Sequence, residues 1–373
     1  MSAKTEKDEL MSSNVTSANP NGFEVVTLLD ADFDSEGNYT NGRGMFGGSL
    51  LELDVPLHIE VSLPEVKFAY LSLKSTFSSN TDIAVENSLH AVSVQVDGSV
   101  TVGRFLTVDR EVSVGNTLKV GLDLTVGGQV IAGQHIFVDG RLRAYGVVSE
   151  GGDLVVEEAI ESQLDIKARR DIVVYSGHIL GRDILAGNVI RVNGYIRAGG
   201  VLRADTKIDV GGDVDAADTI MAGSDVSAGG SISTGGTLAV DGSVRATGHV
   251  KVKREARVVG DIIVGLFLDV GAQIKVGGAI VVSGEIKARL SVEAGENIIT
   301  SSGIIAGRYV QAKIISVGTL VFAGVATTPE LNVKDREVRC EQLLEGKVGC
   351  GVLVLPMDLI YTPTRMLVCT ADY

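Results

Sequence analysis

Histidine is the residue type in this sequence best suited to proton transfer or metal binding, and one of the five histidines stands in an unusual place. His178 lies between Ile160 and Ile196 in a column of aliphatic residues eighteen positions apart. A buried imidazole costs free energy unless it is hydrogen-bonded, so His178 could mark a site. The alternative, which we favour, is a neutral histidine at a turn widened by residues 175–177.

The other histidines lack a spacing that would build a catalytic or metal site. His135 and His249 each precede a column position by one residue, so we expect their side chains to face solvent. Coils with six-residue repeats include acyltransferases and zinc enzymes, which use histidines between adjacent subunits of a trimer. Such sites need groups converging from loops, and no insertion interrupts this repeat from residue 94 to 310. We therefore predict no catalytic residue, no metal and no cofactor.

The repeat itself is the dominant feature of the chain. Every sixth residue from Val94 to Val310 is Val, Ile or Leu, with His178 and Ala256 as the two exceptions. A second column, two residues later, is almost wholly Val or Ala, and side chains two apart on a strand share one face. A period of six fits neither a helix nor one long strand. It predicts a coil of short strands, one for each six-residue repeat.

Glycine pairs and Asp-Gly pairs fill the positions between these strands. No Gly-Lys-Ser/Thr follows them, so we interpret them as corners, where glycine tolerates positive φ, rather than as phosphate-binding loops. Three repeats close a triangular turn of eighteen residues. The predicted fold is an all-β, single-stranded triangular β-helix of about twelve or more such turns, with non-repetitive terminal caps. All six prolines lie outside the repeat, as continuous ladders require.

The non-repetitive ends set the predicted organisation of the chain. Residues 1–22 are polar and predict a flexible tail. Residues 23–70 contain two prolines and a Gly-rich stretch at 41–48, and we expect a β-rich N-terminal cap. The repeat itself appears with shifted phase near residue 71, so we assign 71–325 to the β-helix. Residues 326–373, with candidate strands at 352–355 and 366–369, form a C-terminal cap or assembly segment.

Outward positions of the strands supply the candidate interface. On the side that contains Val100, most outward residues are polar, but two groups of three successive turns are apolar. Exposed apolar strips either receive a terminal segment of the same chain or form a partner interface. These candidate interface residues are Phe137, Val155, Val173, Ile263, Val281 and Ile299.

Composition narrows the partners and the compartment. A net charge of −14 and a pI near 4.9 argue against nonspecific nucleic-acid binding. The three cysteines all lie in the last 34 residues, so a disulfide framework is not expected. The sequence contains neither a secretory signal nor a run of eighteen apolar residues. We expect a cytoplasmic protein without a transmembrane segment.

Three runs of the repeat resemble the bactofilins: Lys207 to Ala216, Gly242 to Ala246 and Gly278 to Ala288. The resemblance covers roughly residues 90–320 and implies a right-handed triangular β-helix that polymerises end to end without nucleotide, as bacterial cytoskeletal proteins of this family do. The left-handed hexapeptide consensus requires a small residue where this chain has Leu106 and Val130, which also favours a right-handed coil. The coil is longer than a usual bactofilin core, and both ends carry additional segments.

Three functional hypotheses follow from these patterns. The first is a non-catalytic structural protein, a rigid β-helical rod that scaffolds or self-associates into homo-oligomers or polymers. The second is a binding module, such as a toxin component or adhesin, that recognises a protein or glycan through its terminal regions. The third is a hexapeptide-coil acyltransferase, for which His178 would be the essential residue.

Overall fold

A computed structural model describes residues 26–40, 50–319, 321–327, 330–333, 337–344, 347–348 and 352–354. The predicted tail at 1–22, the Gly-rich stretch at 41–48 and the candidate strand at 366–369 lie outside the described residues. The chain divides into two compact units, residues 1–181 and 182–373. In each unit, short parallel strands form three sheets, which we name first, second and third in both units.

The described residues of unit 1 form 23 strands and one short 3-10 helix, Asp30–Asp32. The first sheet contains Val26–Leu28, Leu57–Ile59, Thr76–Ser79, Ser93–Val96, Val112–Val114, Gln129–Ala132, Gly146–Ser149 and Ile166–Ala168. The second contains Glu65–Phe68, Asp82–Val85, Val100–Val102, Leu118–Val120, Ile136–Val138, Leu154–Val156 and Ile172–Val174. The third contains Leu50–Leu53, Tyr70–Leu73, Leu89–Ala91, Leu106–Val108, Leu124–Val126, Arg141–Ala144, Ala159–Ser162 and Ile179–Gly181.

Unit 2 repeats the same arrangement. Its first sheet contains Ile184–Ala186, Leu202–Ala204, Ile220–Ala222, Leu238–Val240, Ala256–Val258, Ile274–Val276, Ser291–Ala294 and Tyr309–Gln311. The second contains Ile190–Val192, Ile208–Val210, Val226–Ala228, Val244–Ala246, Ile262–Val264, Ile280–Val282, Asn297–Thr300, Ile314–Val317, Glu330–Val333 and Lys347–Val348. The third contains Ile196–Ala198, Val214–Ala216, Ile232–Thr234, Val250–Val252, Leu268–Val270, Ile286–Ala288, Ile304–Ala306 and Val352–Val354. The longer strands Val321–Thr327 and Glu337–Leu344 continue the pairing at the end of the coil.

The pairing register confirms the predicted β-solenoid. In unit 1 Val100 pairs in parallel with Leu118, and in unit 2 Ile208 pairs with Val226, eighteen residues along the chain in each case. The first and third residues of most strands are buried and the middle residue points outward. The two units together contain about 14 turns of roughly 18 residues. The right-handed winding that the sequence favours stays a prediction.

Parallel pairing extends beyond both predicted boundaries of the coil. Val26 already pairs with Leu57, and Arg339 pairs with Val354. The change of phase near residue 90 is a turn that is one residue short, because Ile83 pairs with Val100. The described parts of segments 23–70 and 326–373 therefore continue the ladders, and their roles as caps stay predictions.

Two column positions were predicted wrongly because the coil absorbs single-residue slips. Val147 is fully buried and pairs with Val130, whereas Val148, the residue in the six-residue count, points outward. A slip in the opposite direction occurs at Ile179, which is buried in place of His178. In unit 1 the turn before Val147 has seventeen residues and the turn after it has nineteen, since Val147 pairs next with Ile166. The two slips cancel, so the count along the sequence does not reveal them.

The corner glycines are required for a different reason from the one predicted. Among the described glycines, Gly37 is the one with positive φ, at 80°. At Gly229 a Cβ atom would instead overlap the carbonyl oxygen of Gly211, eighteen residues earlier. Successive corners stack as closely as successive strands, because the amide of Gly229 also donates to the carbonyl of Val210 at 2.8 Å. Close approach of backbone to backbone selects glycine here.

Aspartates at the corners complete the stacking. A carboxylate immediately before a strand accepts a hydrogen bond from the backbone amide eighteen residues ahead, as Asp225 does from Ser243 at 2.8 Å. At five of these corners the residue seventeen positions ahead is glycine, where a Cβ would overlap the same carboxylate. Five such pairs are Asp123 with Gly140, Asp183 with Gly200, Asp213 with Gly230, Asp225 with Gly242 and Asp261 with Gly278.

Substitution of one corner glycine tests this stacking. We expect Gly229→Ala to lower the free energy of unfolding by about 1–3 kcal/mol, because the added methyl forces two corners apart. Gly146→Ala is the matched control, since a Cβ there meets its nearest atom, Gln129 Cγ, at 3.5 Å. Denaturant unfolding followed by circular dichroism measures both. Equal losses in the two variants would contradict the account.

Candidate functional site

His178 does not occupy the core position that the sequence assigns to it. Ile179 is buried in its place and pairs with Ile160, nineteen residues earlier. His178 is half-buried at the widened turn, with its Nε2 atom 3.7 Å from Glu161 Oε1. Its backbone carbonyl accepts a hydrogen bond from the Ile160 amide at 3.0 Å. The widened turn relieves the cost of burying an imidazole among aliphatic side chains.

His135 and His249 are built into corners, whereas the sequence predicts that they face solvent. Both are half-buried and stack on aromatic rings, His135 on Phe137 with centroids 5.4 Å apart and His249 on Phe267 at 4.8 Å. The Nδ1 atom of His135 accepts the backbone amide of Asp153 at 3.0 Å. His135 therefore has the hydrogen-bonding role that aspartate has at other corners.

The described residues contain no group of three or more His, Cys, Asp or Glu side chains that could hold a metal ion. Two depressions of the surface both lie on the second sheet. In unit 1 Lys119 and Phe137 line one of them, and in unit 2 Arg245, Ile263 and Val281 line the other. Each depression thus contains residues of a predicted apolar strip or its immediate neighbours, so the strips are the candidate site.

The strip of unit 1 is continuous across three turns. Phe137 pairs with Val155, and Val155 pairs with Val173, all in the outward positions of the second sheet. All three side chains are half-buried, and Lys119 is the next outward residue beside Phe137. His135 packs on Phe137 and covers part of its ring. This strip is narrow and partly covered by its own neighbours.

The strip of unit 2 is broader than the sequence predicts. Ile263 pairs with Val281, and Val281 pairs with Ile299, so the three side chains follow one another on adjacent strands. Three further apolar side chains lie at the corners on either side of the strand that carries Ile263. The exposed fractions are 65% for Val259, 55% for Leu266, 45% for Ile299, 39% for Phe267 and 38% for Ile263.

We name Val259, Ile263, Leu266, Phe267, Val281 and Ile299 the apolar face of unit 2. The corner members do not follow from the outward strand positions, because they lie between strands. A signal existed in the sequence for two of them, since the positions of Val259 and Leu266 hold Gly, Asp or Ser in most other turns. Stacking on His249 fixes the ring of Phe267, so the apolar face has a defined shape.

Comparisons with known protein families, with curated proteins and with solved structures give no match. Within the described ranges, no helix has the length and hydropathy needed to cross a membrane. The assignment of function therefore depends on the surfaces of the coil itself.

Substitutions at His135 separate a structural role from a chemical one. We expect His135→Ala to lower the free energy of unfolding by about 1 kcal/mol, because the amide of Asp153 loses its acceptor. His135→Ser should recover most of that loss, since Ser243 accepts the amide of Asp261 at 3.0 Å in the equivalent position of unit 2. Chemical denaturation of the three proteins measures the difference. A serine variant no more stable than the alanine variant would contradict the corner role.

Proposed function

We propose that this protein is a non-catalytic structural protein that self-associates, with the apolar face of unit 2 as a contact between copies. The observation that carries the proposal is this face, which presents six apolar side chains, five of them exposed, on one side of a regular sheet. Large exposed apolar patches mark interaction sites in water-soluble proteins. A second copy is a fitting partner, because the same flat surface recurs on every copy.

The geometry of a parallel sheet supports packing between two such faces. Adjacent strands lie about 4.8 Å apart, so Ile263, Val281 and Ile299 form a row of evenly spaced ridges. Two sheets pack face to face at about 10 Å when such side chains interdigitate. The order Ile, Val, Ile also reads the same in both directions along the coil, which suits a two-fold contact centred on Val281.

The resemblance to bactofilins adds an expectation about assembly and location. A bactofilin-like protein would be a bacterial cytoskeletal element that polymerises through the ends of its coil in the cytoplasm. Parallel ladders support this, because the last strand of a solenoid offers backbone hydrogen-bonding groups to a further strand. Residues 326–373 would then act as a cap or as the assembly segment. The apolar face would add a lateral contact to contacts at the ends.

Charge placed on the apolar face tests the proposal. We expect the wild type to form assemblies, and Ile263→Lys with Ile299→Lys to abolish the lateral contact, because two ammonium groups cannot be desolvated between apolar sheets. The matched control, Met221→Lys with Ser227→Lys, adds the same charge at outward positions of the same unit outside this face. Negative-stain microscopy and mass photometry report the particles.

Circular dichroism should show an unchanged fold in both double variants. Wild-type protein that remains as single chains at every concentration would overturn the proposal. Assembly of the Ile263/Ile299 variant to the same extent as the wild type would show that this face is not the contact.

A further inference from the structure

Charge is distributed unevenly along this acidic chain. The described residues of unit 1, 26–40 and 50–181, carry 22 acidic and 10 basic side chains. In unit 2, residues 244–319 carry 6 acidic and 10 basic side chains. A stretch of excess positive charge therefore exists within a protein whose net charge is −14. The position of these basic side chains on the coil shows what they could contact.

Eight of these basic side chains lie on one edge of unit 2, where the third sheet meets the first. They occupy the strands Val250–Val252, Ala256–Val258, Ile274–Val276 and Ile286–Ala288 and the corners at 253–255, 289–290 and 307–308. All eight are exposed. We name them the basic edge: Lys251, Lys253, Arg254, Arg257, Lys275, Lys287, Arg289 and Arg308.

Acidic neighbours neutralise this edge only in part. Arg257 forms an ion pair with Glu255 at 2.8 Å. Asp269 lies in register between Lys251 and Lys287, and Glu293 lies in register beside Lys275. Among the described residues, Lys253, Arg254, Lys275 and Arg289 have no carboxylate within ion-pair distance. Several basic residues of unit 1 differ, because Arg141, Arg143 and Lys167 pair with Glu158, Glu161 and Asp165 at 2.8–3.0 Å.

We infer that the basic edge binds the acidic surface of a second copy of this chain. Exposed carboxylates of unit 1 at the corners between its second and third sheets, Glu86, Asp139 and Glu157, supply a complementary surface at the same concentration as the edge itself. A separate polyanion such as a nucleic acid would be repelled by the net charge of the whole protein. Opposite charge thus favours a second copy as the occupant.

This inference rests on the proposed self-association and specifies its geometry. In the three-sided turns of unit 2, the corner between the first and third sheets lies opposite the second sheet, which carries the apolar face. Each copy would therefore use two different surfaces on opposite sides. The charged contact joins unlike surfaces, and contacts of this kind continue from copy to copy rather than closing in a dimer.

The test compares two charge reversals that change the net charge equally. Lys251→Glu with Arg254→Glu and Lys275→Glu reverses the basic edge. Arg191→Glu with Lys207→Glu and Lys313→Glu is the control, at positions of the same unit on the second sheet and at the corners between the first and second sheets, away from this edge. Mass photometry of the full chain at about 0.01 M and about 1 M ionic strength varies the Debye length from about 30 Å to about 3 Å.

We expect self-association of the wild type to weaken at least about tenfold at high ionic strength. At low ionic strength the basic-edge variant should be weaker by a similar factor, whereas the control should stay within about threefold of the wild type. Self-association that does not change with ionic strength, or that both charge reversals weaken equally, would overturn this inference. The proposed function would be unaffected by either result. Wild-type protein that is monomeric under all conditions would overturn both.

A gel-shift titration with a short DNA duplex tests whether the basic edge binds a polyanion instead of a second copy. We expect no retardation of the wild type. Retardation that the basic-edge reversal abolishes, together with self-association insensitive to salt, would make a polyanion the occupant and contradict a second copy.

Discussion

Successive turns of this coil lie one strand spacing apart, and the rest of the fold depends on this distance. It applies to the corners as well as to the strands, because amides at the corners donate to carbonyls of the previous turn, as Gly230 does to Gly212 at 3.0 Å. Such close stacking leaves no room for a Cβ at many corners. It also explains the Asp residues, whose carboxylates accept corner amides that the backbone leaves unpaired. Inside the coil, the same spacing stacks branched aliphatics into continuous columns.

In a coil built in this way, few positions are free to vary and so to form a functional surface. The inward positions are occupied by the core, and many corner positions are fixed by backbone contacts. Variation is confined to outward strand positions and to the corners that need not be glycine. Unit 2 uses this freedom in two ways, with apolar side chains on its second sheet and basic side chains on the opposite edge. The proposed self-association would use both surfaces.

The sequence predicts the architecture well because the constraint is periodic. Columns at Val100, Leu118 and Ile136 follow from the six-residue count alone, and the register confirms them. Prediction from the six-residue count fails around Val148 and His178. There a turn that is one residue short and a turn that is one residue long cancel, so the count along the sequence stays the same. The reason for glycine at the corners was also wrong, because composition does not distinguish positive φ from close backbone approach.

The candidate surface could be predicted only in part. Ile263, Val281 and Ile299 follow from their outward positions, whereas Val259, Leu266 and Phe267 required the geometry of the corners. The pairing of Asp with a Gly seventeen residues later is visible in the sequence, but its meaning depends on knowing which amide the carboxylate faces. Assembly depends on surfaces of two molecules, and the sequence of one chain specifies neither their orientation nor their affinity.

Deletion of a whole turn tests the central claim most directly. Removal of the eighteen residues Ile208 to Asp225 joins equivalent positions, so the account predicts a strand-rich circular dichroism spectrum and cooperative unfolding close to those of the parent. Removal of the nine residues Ile208 to Ala216 places corner residues at core positions. This variant should lose much of the β-strand signal in the circular dichroism spectrum and much of the free energy of unfolding. Equal stability of the two deletion variants would contradict a coil whose turns stack every eighteen residues.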